Sequence, residues 1–344
     1  MLLSWKPAPL PFVLSLLLAA CGGSAVVTPS PTTVASTAAR PSAAGTKIAV
    51  SYSTVTPDDL PVWLAQDAGI FKSNGLDVDL QFIASNTGVA ALISSQTQAA
   101  AVGGSEVLAA VLGGADLSVL ATVSPVFPYK FTVASSIKTV DDLRGKTIGI
   151  AQVGSSSDIG TRLALAKIGL VPGKDVSVIQ VGSGPNRTAA LQAGSIQASV
   201  TQPPDTTILE RQGFHTLFDL ATLGLPTANT VIAANRSWAS GHKDLTQKMV
   251  DSVVASIARM KRDKNLATAI LSKYYKSTDT EAMALAYDYY SGQVIQSVPS
   301  PKPEQFQGAL EQLAKEKSQP GGFNISSMLD SSYVDNAVSR GLDR

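Results

Sequence analysis

From Lys47 onward, short apolar runs alternate with stretches of helical periodicity, and that alternation predicts an architecture before any chemistry is considered. Lys47 to Tyr52 (KIAVSY) reads as a strand. Asp58 to Lys72 carries a helical pattern opened by Pro57 and two acids. Asp77 to Ile83 alternates apolar and polar as a strand, Thr87 to Gln96 is an Ala-rich helix, and Ala99 to Val102 is a buried strand ending in Gly103-Gly104-Ser105. The order is βαβαβ, the unit that builds parallel sheets with right-handed crossovers.

The same order returns about a hundred residues later. Lys146 to Ala151 is a strand, Ser156 to Gly169 a helix, Asp175 to Val181 a strand, and Gln197 to Val200 closes the unit after a helix containing Ala189-Ala190-Leu191. Ala90-Ala91-Leu92 and Gln98-Ala99 match Ala189-Ala190-Leu191 and Gln197-Ala198 at one constant offset, which sets Gly103-Gly104-Ser105 against Gln202-Pro203-Pro204. Agreement in element order and offset together predicts an α/β fold of two similar lobes. The remainder is asymmetric: Val231 to Ala234 reads as a strand, then helices cover 245–262, 266–275, 281–294 and 303–317. A helical C-terminal tail packing back on the first lobe makes the chain cross between lobes twice, near Tyr129 to Ala134 and near Thr230 to Ala233. Lobe 1 is then residues 47–131 and 232–344, and lobe 2 is residues 132–231. Two extended crossings form a hinge, a common device for trapping a ligand between lobes.

The N-terminal segment carries an address. A basic start with Lys6 leads into an apolar run from Leu10 to Leu18, broken by Pro11 and Ser15. That run is too short to span a bilayer as a mature helix and reads as a signal-peptide core. Leu18-Ala19-Ala20-Cys21 resembles the bacterial lipobox, which implies removal of residues 1–20 and lipid attachment to Cys21; an ordinary secretory signal with an incidental cysteine is the alternative. Residues 22–46 are Gly, Ser, Thr, Ala, Val and Pro with Arg40 the only charge, a composition that suits a flexible tether. Cys21 is the only cysteine, so no intramolecular disulfide is possible.

Charge narrows the function classes. Lys and Arg number 27 against 26 Asp and Glu, and loss of Lys6 with the signal peptide makes them equal, which gives no electrostatic case for nucleic acid. The two histidines, His215 and His242, lie in polar contexts, and no acidic triad clusters. No metal site and no cofactor are expected.

Certain segments are similar to one family. Leu64 to Phe71 (LAQDAGIF) followed by Asn74 to Val78 (NGLDV) looks like the first helix and strand of the nitrate/sulfonate/taurine-type solute-binding proteins, a group that includes binders of thiamine-pyrimidine precursors. Ile137 to Ile150 resembles that family's entry into its second lobe, and Gly154-Ser155-Ser156-Ser157-Asp158 its small-residue loop before a helix. The resemblance covers most of the chain from Lys47 to about Arg262. It implies a type II periplasmic-binding-protein fold, an ABC permease as partner, and a monomer in an extracytoplasmic, lipid-anchored location.

Ligands of open α/β sheets sit beyond the carboxyl ends of the strands. That rule selects Tyr52-Ser53-Thr54, Gly103-Gly104-Ser105, Gly154 to Ser157, and Gln202-Pro203-Pro204. The serines Ser155, Ser156 and Ser157 sit at a helix start, where free N–H groups favour anions; Ser156 or Ser157 equally reads as an N-cap. Trp63 is a candidate wall for a ring-shaped ligand or a core residue, and Phe127 and Tyr129 flank the first crossing. Asn186, a cap or a donor, and Asn229 complete the candidate contacts; Arg187 is the one cation near a cleft loop. So sparse a set of cations ranks organic solutes above inorganic anions.

The function expected is capture of a small organic solute, sulfonate or taurine-like, for an ABC importer. A thiamine-pyrimidine precursor, another small aromatic or neutral solute, and a non-transporting sensor are the alternatives. An enzyme on the same fold is disfavoured: the cysteine-rich motif and histidine chemistry of the pyrimidine synthases are missing, and a lipoprotein sits in the wrong compartment.

Overall fold

The alternation of Leu76, Val78 and Leu80 with Asp77 and Asp79 turns one face of a strand inward, and that strand lies beside the chain's first (Ile48 opposite Val78). These are β2 (Leu76–Phe82) and β1 (Thr46–Tyr52), parallel neighbours in a computed structural model that describes residues 45–317 and 322–344. The signal-peptide and Cys21 expectations, and all but the last two residues of the tether, lie outside the described residues. The first strand begins at Thr46.

Between β1 and β2, a single 3-10 turn over Pro57–Asp59 runs into α1 (Leu60–Asp67). Gly69 then adopts a left-handed conformation (φ 70°) that lets the chain re-enter a short helix, α2 (Ile70–Ser73), where a side chain would be strained. After β2 come α3 (Ser85–Ile93), β3 (Ala99–Val102), α4 (Gly104–Leu112) and β4 (Leu117–Val126). The four side chains of β3 are three alanines and a valine, all buried, as a central strand covered on both faces requires.

The chain crosses at Phe127–Tyr129 into the second lobe. There β5 (Lys130–Val133), β6 (Thr147–Ile150), α5 (Ser156–Lys167), β7 (Ser177–Gln180), α6 (Gly184–Gln192), β8 (Ala198–Thr201), α7 (Asp205–Arg211) and β9 (His215–Asp219) form the sheet β7-β6-β8-β5-β9. It returns as β10 (Pro226–Asn235), which completes the first sheet in the order β2-β1-β3-β10-β4. In each sheet a strand beside one crossing runs antiparallel to its neighbours.

Both crossings precede the positions expected from sequence. Phe131 pairs with Val200 in the second sheet, and Val231 pairs with Val102 and Thr122 in the first. An extended apolar strand that borders a sheet satisfies its backbone by joining it, so pairing consumes the residues read as hinge. The segments left between the strands are residues 127–129 and residues 220–225.

The internal repeat is physical. Ser85 to Gly184 and Ala99 to Ala198 are both steps of 99 residues, each linking a helix start to its counterpart or a strand start to its counterpart. Gln98 and Gln197 do the same work in the two lobes. The Gln98 side-chain oxygen accepts the Ala49 N–H at 2.7 Å while its amide donates to the Ser95 carbonyl; Gln197 accepts from Thr147 N–H at 3.2 Å and donates to Gly194.

The tail comprises α8 (Arg236–Gly241), α9 (Lys243–Arg262), α10 (Lys264–Tyr275), α11 (Thr280–Tyr289), α12 (Glu304–Lys317) and α13 (Ser332–Ser339). Met249, Val250, Val253, Val254 and Ile257 of α9 fill the first lobe's core against α1, where Ser256 Oγ donates to the Pro61 carbonyl at 2.6 Å. The helix α12 reaches both lobes, with Phe306 beneath Gly104 and Gly308 facing Leu163 of α5. Gln98→Ala and Gln197→Ala should each cost about 1–2 kcal/mol, since each strips a partner from a strand N–H. Urea unfolding of the two variants would read it, and a cost confined to one lobe would break the equivalence.

Candidate functional site

A cavity of about 380 Å³ opens between the lobes, where the carboxyl ends of β1, β3, β6, β7 and β8 point toward one another. Of the sequence-derived candidates, Ser53, Ser155, Ser156, Ser157, Gln202 and Asn229 line it. Thr54, Gly103, Tyr129 and Arg187 line it too.

The other candidates stand elsewhere. Trp63 is fully buried in the first lobe's core, stacked on Tyr274 at 4.4 Å, so its role is packing. Tyr52 packs edge-on against Trp63 and against Phe82, and it is Phe82 whose ring reaches the cavity. Gly104 is outside the lining: a Cβ there would lie 2.3 Å from the Ala228 carbonyl, so glycine permits α4 to approach β10. Ser105 stands behind the wall. Phe127 is buried behind Tyr129, Asn186 is exposed at the head of α6, and Pro203 is outside the lining.

Two acids outside the sequence-derived candidates organise the site. Asp58, 2 % exposed, accepts from five side chains. Oδ2 takes Thr56 Oγ1 (3.0 Å), Gln202 Nε2 (2.7 Å) and Tyr290 Oη (2.9 Å); Oδ1 takes Ser124 Oγ (2.5 Å) and Asn229 Nδ2 (3.1 Å). Gln202 belongs to the second lobe, and the other four donors to the first lobe's elements and its tail, so the carboxylate ties the lobes together. Its position ahead of α1 places a negative charge at the positive end of a helix.

The second acid is Glu106, three residues into α4. Its carboxylate folds back over Gly103 and accepts from Ser105 Oγ (3.0 Å) and from Ser156 Oγ across the cleft (3.3 Å), both on Oε2. The nearby backbone N–H groups of Glu106 and Ser156 also favour its ionised form. Burial pushes the Glu106 carboxyl above its ordinary value, and these donors pull it part of the way back. Ser105 and Ser156 also lie 3.0 Å apart, so their two hydroxyl protons are shared among three contacts that together join the lobes.

The serine loop therefore differs from the anion seat expected of it. Ser155 is the N-cap, its Oγ accepting from Asp158 N–H, and Asp158 in turn accepts from Gly154 N–H at 2.8 Å. Ser157 Oγ accepts from Ala151 N–H. Asp158 thus binds the loop ahead of α5 and pairs with Arg162 at 2.7 Å, and Glu106 reaches the head of α5 through the Ser156 hydroxyl. Arg187, the only cation lining the cavity among the described residues, donates to the carbonyls of Gly182 (2.9 Å) and Val200 (3.4 Å). Burial depresses its basicity. Among the described residues, no three His, Cys, Asp or Glu gather as a metal site.

The sequence matches the model of the NMT1/THI5-like family over residues 56–265, more than half of the chain. No curated protein matches it significantly. Solved structures share the fold at low identity. The alkanesulfonate-binding protein SsuA from Xanthomonas axonopodis pv. citri, bound to MOPS, is 19% identical with a TM-score of 0.70, over 83% of this chain and 98% of that one. The aliphatic sulphonate binding protein SsuA from Escherichia coli is 21% identical, with a TM-score of 0.68 over 83% and 92%. The nitrate-binding protein NrtA from Synechocystis is 15% identical, with a TM-score of 0.70 over 86% and 89%. The two-lobed α/β architecture is thus the periplasmic-binding-protein fold.

Asp58→Ala should destabilise the protein by about 3 kcal/mol or more, because it strands several buried donors at once. Denaturant unfolding checks this, and a loss below about 1 kcal/mol would deny the carboxylate its organising role.

Proposed function

The chain belongs to the NMT1/THI5-like family, and from that premise we propose that it is a solute-binding receptor which captures a small organic molecule between its lobes and delivers it to an ABC importer. The observation that carries this reading is the cavity itself. It is walled by equivalent loops of the two lobes, and hydrogen bonds from Gln202 to Asp58 and from Ser105 to Ser156 bridge its margins. A solute that touches both lobes stabilises the closed arrangement, provided it binds that arrangement better than the open one.

Sulfonates, taurine and nitrate are the first compounds to test, because of the resemblance in sequence and because proteins of this fold include alkanesulfonate- and nitrate-binding proteins. The lipobox-like Leu18 to Cys21 supports an anchored, extracytoplasmic receptor, held where a permease can receive its cargo. A catalytic role has little to stand on, since neither histidine lines the cavity and its two carboxylates are engaged in hydrogen bonds.

A cognate solute at a hundred times its Kd should add about 2.7 kcal/mol of stability, visible as a rise in Tm. The double substitution Ser155→Ala, Ser156→Ala should weaken that binding while leaving the fold intact. Unchanged affinity would remove the loop from the site. Cys21→Ser, expressed in a bacterial host, should move the protein from the membrane to the soluble fraction; continued membrane association would discard the lipid anchor.

A further inference from the structure

Next to Asp58 in sequence stands an acid that takes none of its donors. Asp59 is 1 % exposed; its Oδ2 meets Thr54 Oγ1 at 2.5 Å, and its Oδ1 is buried without a partner. Thr54 Oγ1 in turn lies 2.9 Å from Thr56 Oγ1, and Thr56 Oγ1 lies 3.0 Å from Asp58 Oδ2. The four groups form one chain from carboxyl to carboxyl, and Thr54, Thr56 and Asp58 line the cavity. The chain has three contacts, whereas its two hydroxyls supply two protons. With both acids ionised, one pair of oxygens would face each other with no hydrogen between them. A third proton, on a carboxyl, completes the chain. Asp58 is not its seat, because that carboxylate is filled by donors from Gln202, Tyr290, Ser124 and Asn229 as well as Thr56. Asp59 is: ionised, it would be a buried charge with a single side-chain donor and one oxygen left bare.

We propose that Asp58 and Asp59 work as a proton-sharing pair: at neutral pH Asp59 carries the proton and Asp58 the charge, and loss of that proton under alkaline conditions destabilises the wall of the cavity. The proton gives the chain one direction. Asp59 donates to Thr54, Thr54 to Thr56, and Thr56 to Asp58, which commits the protons of both hydroxyls on the wall. Burial pushes the Asp59 carboxyl well above its ordinary value; the Thr54 hydroxyl and backbone N–H pull against it, and the Asp58 charge adds to it. The other titratable groups that face it are Tyr52 of β1 and Tyr275 of α10, both also pushed up, so they stay neutral and bring no counter-charge. Among the described residues, no cation acts on it. Deprotonation sends the proton to solvent and leaves like charges on adjacent residues, beside the Asp58 oxygen that Gln202 holds from the second lobe. Because the folded value lies above that of the unfolded chain, the stability Asp59 contributes is complete below the ordinary carboxylate range. It is lost as pH rises through the folded value.

Infrared spectroscopy of the full-length protein reads the proton directly, with the aspartates isotope-labelled to set them apart from the glutamates. The carbonyl band of an un-ionised aspartate is expected at neutral pH, lost in Asp59→Asn and kept in Asp205→Asn. The latter is the control because burial also raises Asp205, to about 6. A wild-type protein without the band overturns the proposal and needs no variant to do so. A band that survives in Asp59→Asn, or disappears in Asp205→Asn, overturns it as well. Thermal melting gives the linked readout. The wild-type Tm should fall as pH is raised through the loss of the band, and Asp59→Asn, whose amide donates to Thr54 at every pH, should lack that part of the fall. Parallel profiles of Tm against pH would show that the proton does not stabilise the wall and would overturn the switch.

Discussion

The Asp58 carboxylate holds this structure's functional half in place. A buried charge without a counter-ion survives only where donors replace its hydration, and Asp58 draws five of them from side chains scattered over more than two hundred residues of sequence. Ser124 belongs to β4, Asn229 to β10, Gln202 to the loop after β8, and Tyr290 to the turn that follows α11. The loop after β1, strands β4 and β10, the loop after β8 and the C-terminal tail are therefore fixed relative to one anion. Because Gln202 comes from the second lobe, the same network that stabilises the first lobe also registers the closed cleft.

The remaining polar chemistry follows from how the helix heads are answered. In a binding fold whose ligands sit at strand ends, helix N-termini are natural places for an anion. Here Asp158 binds the loop ahead of α5 and pairs with Arg162, and Glu106 reaches the head of α5 through the Ser156 hydroxyl from across the cleft.

Much of the architecture was legible because it rests on local periodicity. The alternation in β2, the small residues of β3 and the long apolar stripe of α9 each belong to one segment, and the repeat shows in Gln98 and Gln197 because each lobe needs the same bond at the same edge. Of the residues lining the cavity, the serine loop, Ser53, Gln202 and Asn229 are legible from their place after strands or at a crossing. Asp58 and Glu106 are not, because an acid in the first turn of a helix has a sufficient local explanation in the helix dipole. Trp63 shows the converse: an aromatic early in a helix looks the same from sequence whether it faces a ligand or, as here, stacks on Tyr274 in the core.

The sequence by itself determined the order of elements, the doubling of the βαβαβ unit, the helical tail and the loops from which a cleft is built, since each follows from propensity and from burying one face of a segment. Only the tertiary structure decided where the chain crosses between lobes, which acids became hydrogen-bond acceptors of the site, and that the serine loop reaches across the cleft to Glu106. Those outcomes turn on pairings between residues far apart in the chain, Asp58 with Gln202 and Glu106 with Ser156 above all. Hydrogen bonding of that kind leaves no periodic trace in a sequence, because either partner alone is an ordinary surface residue.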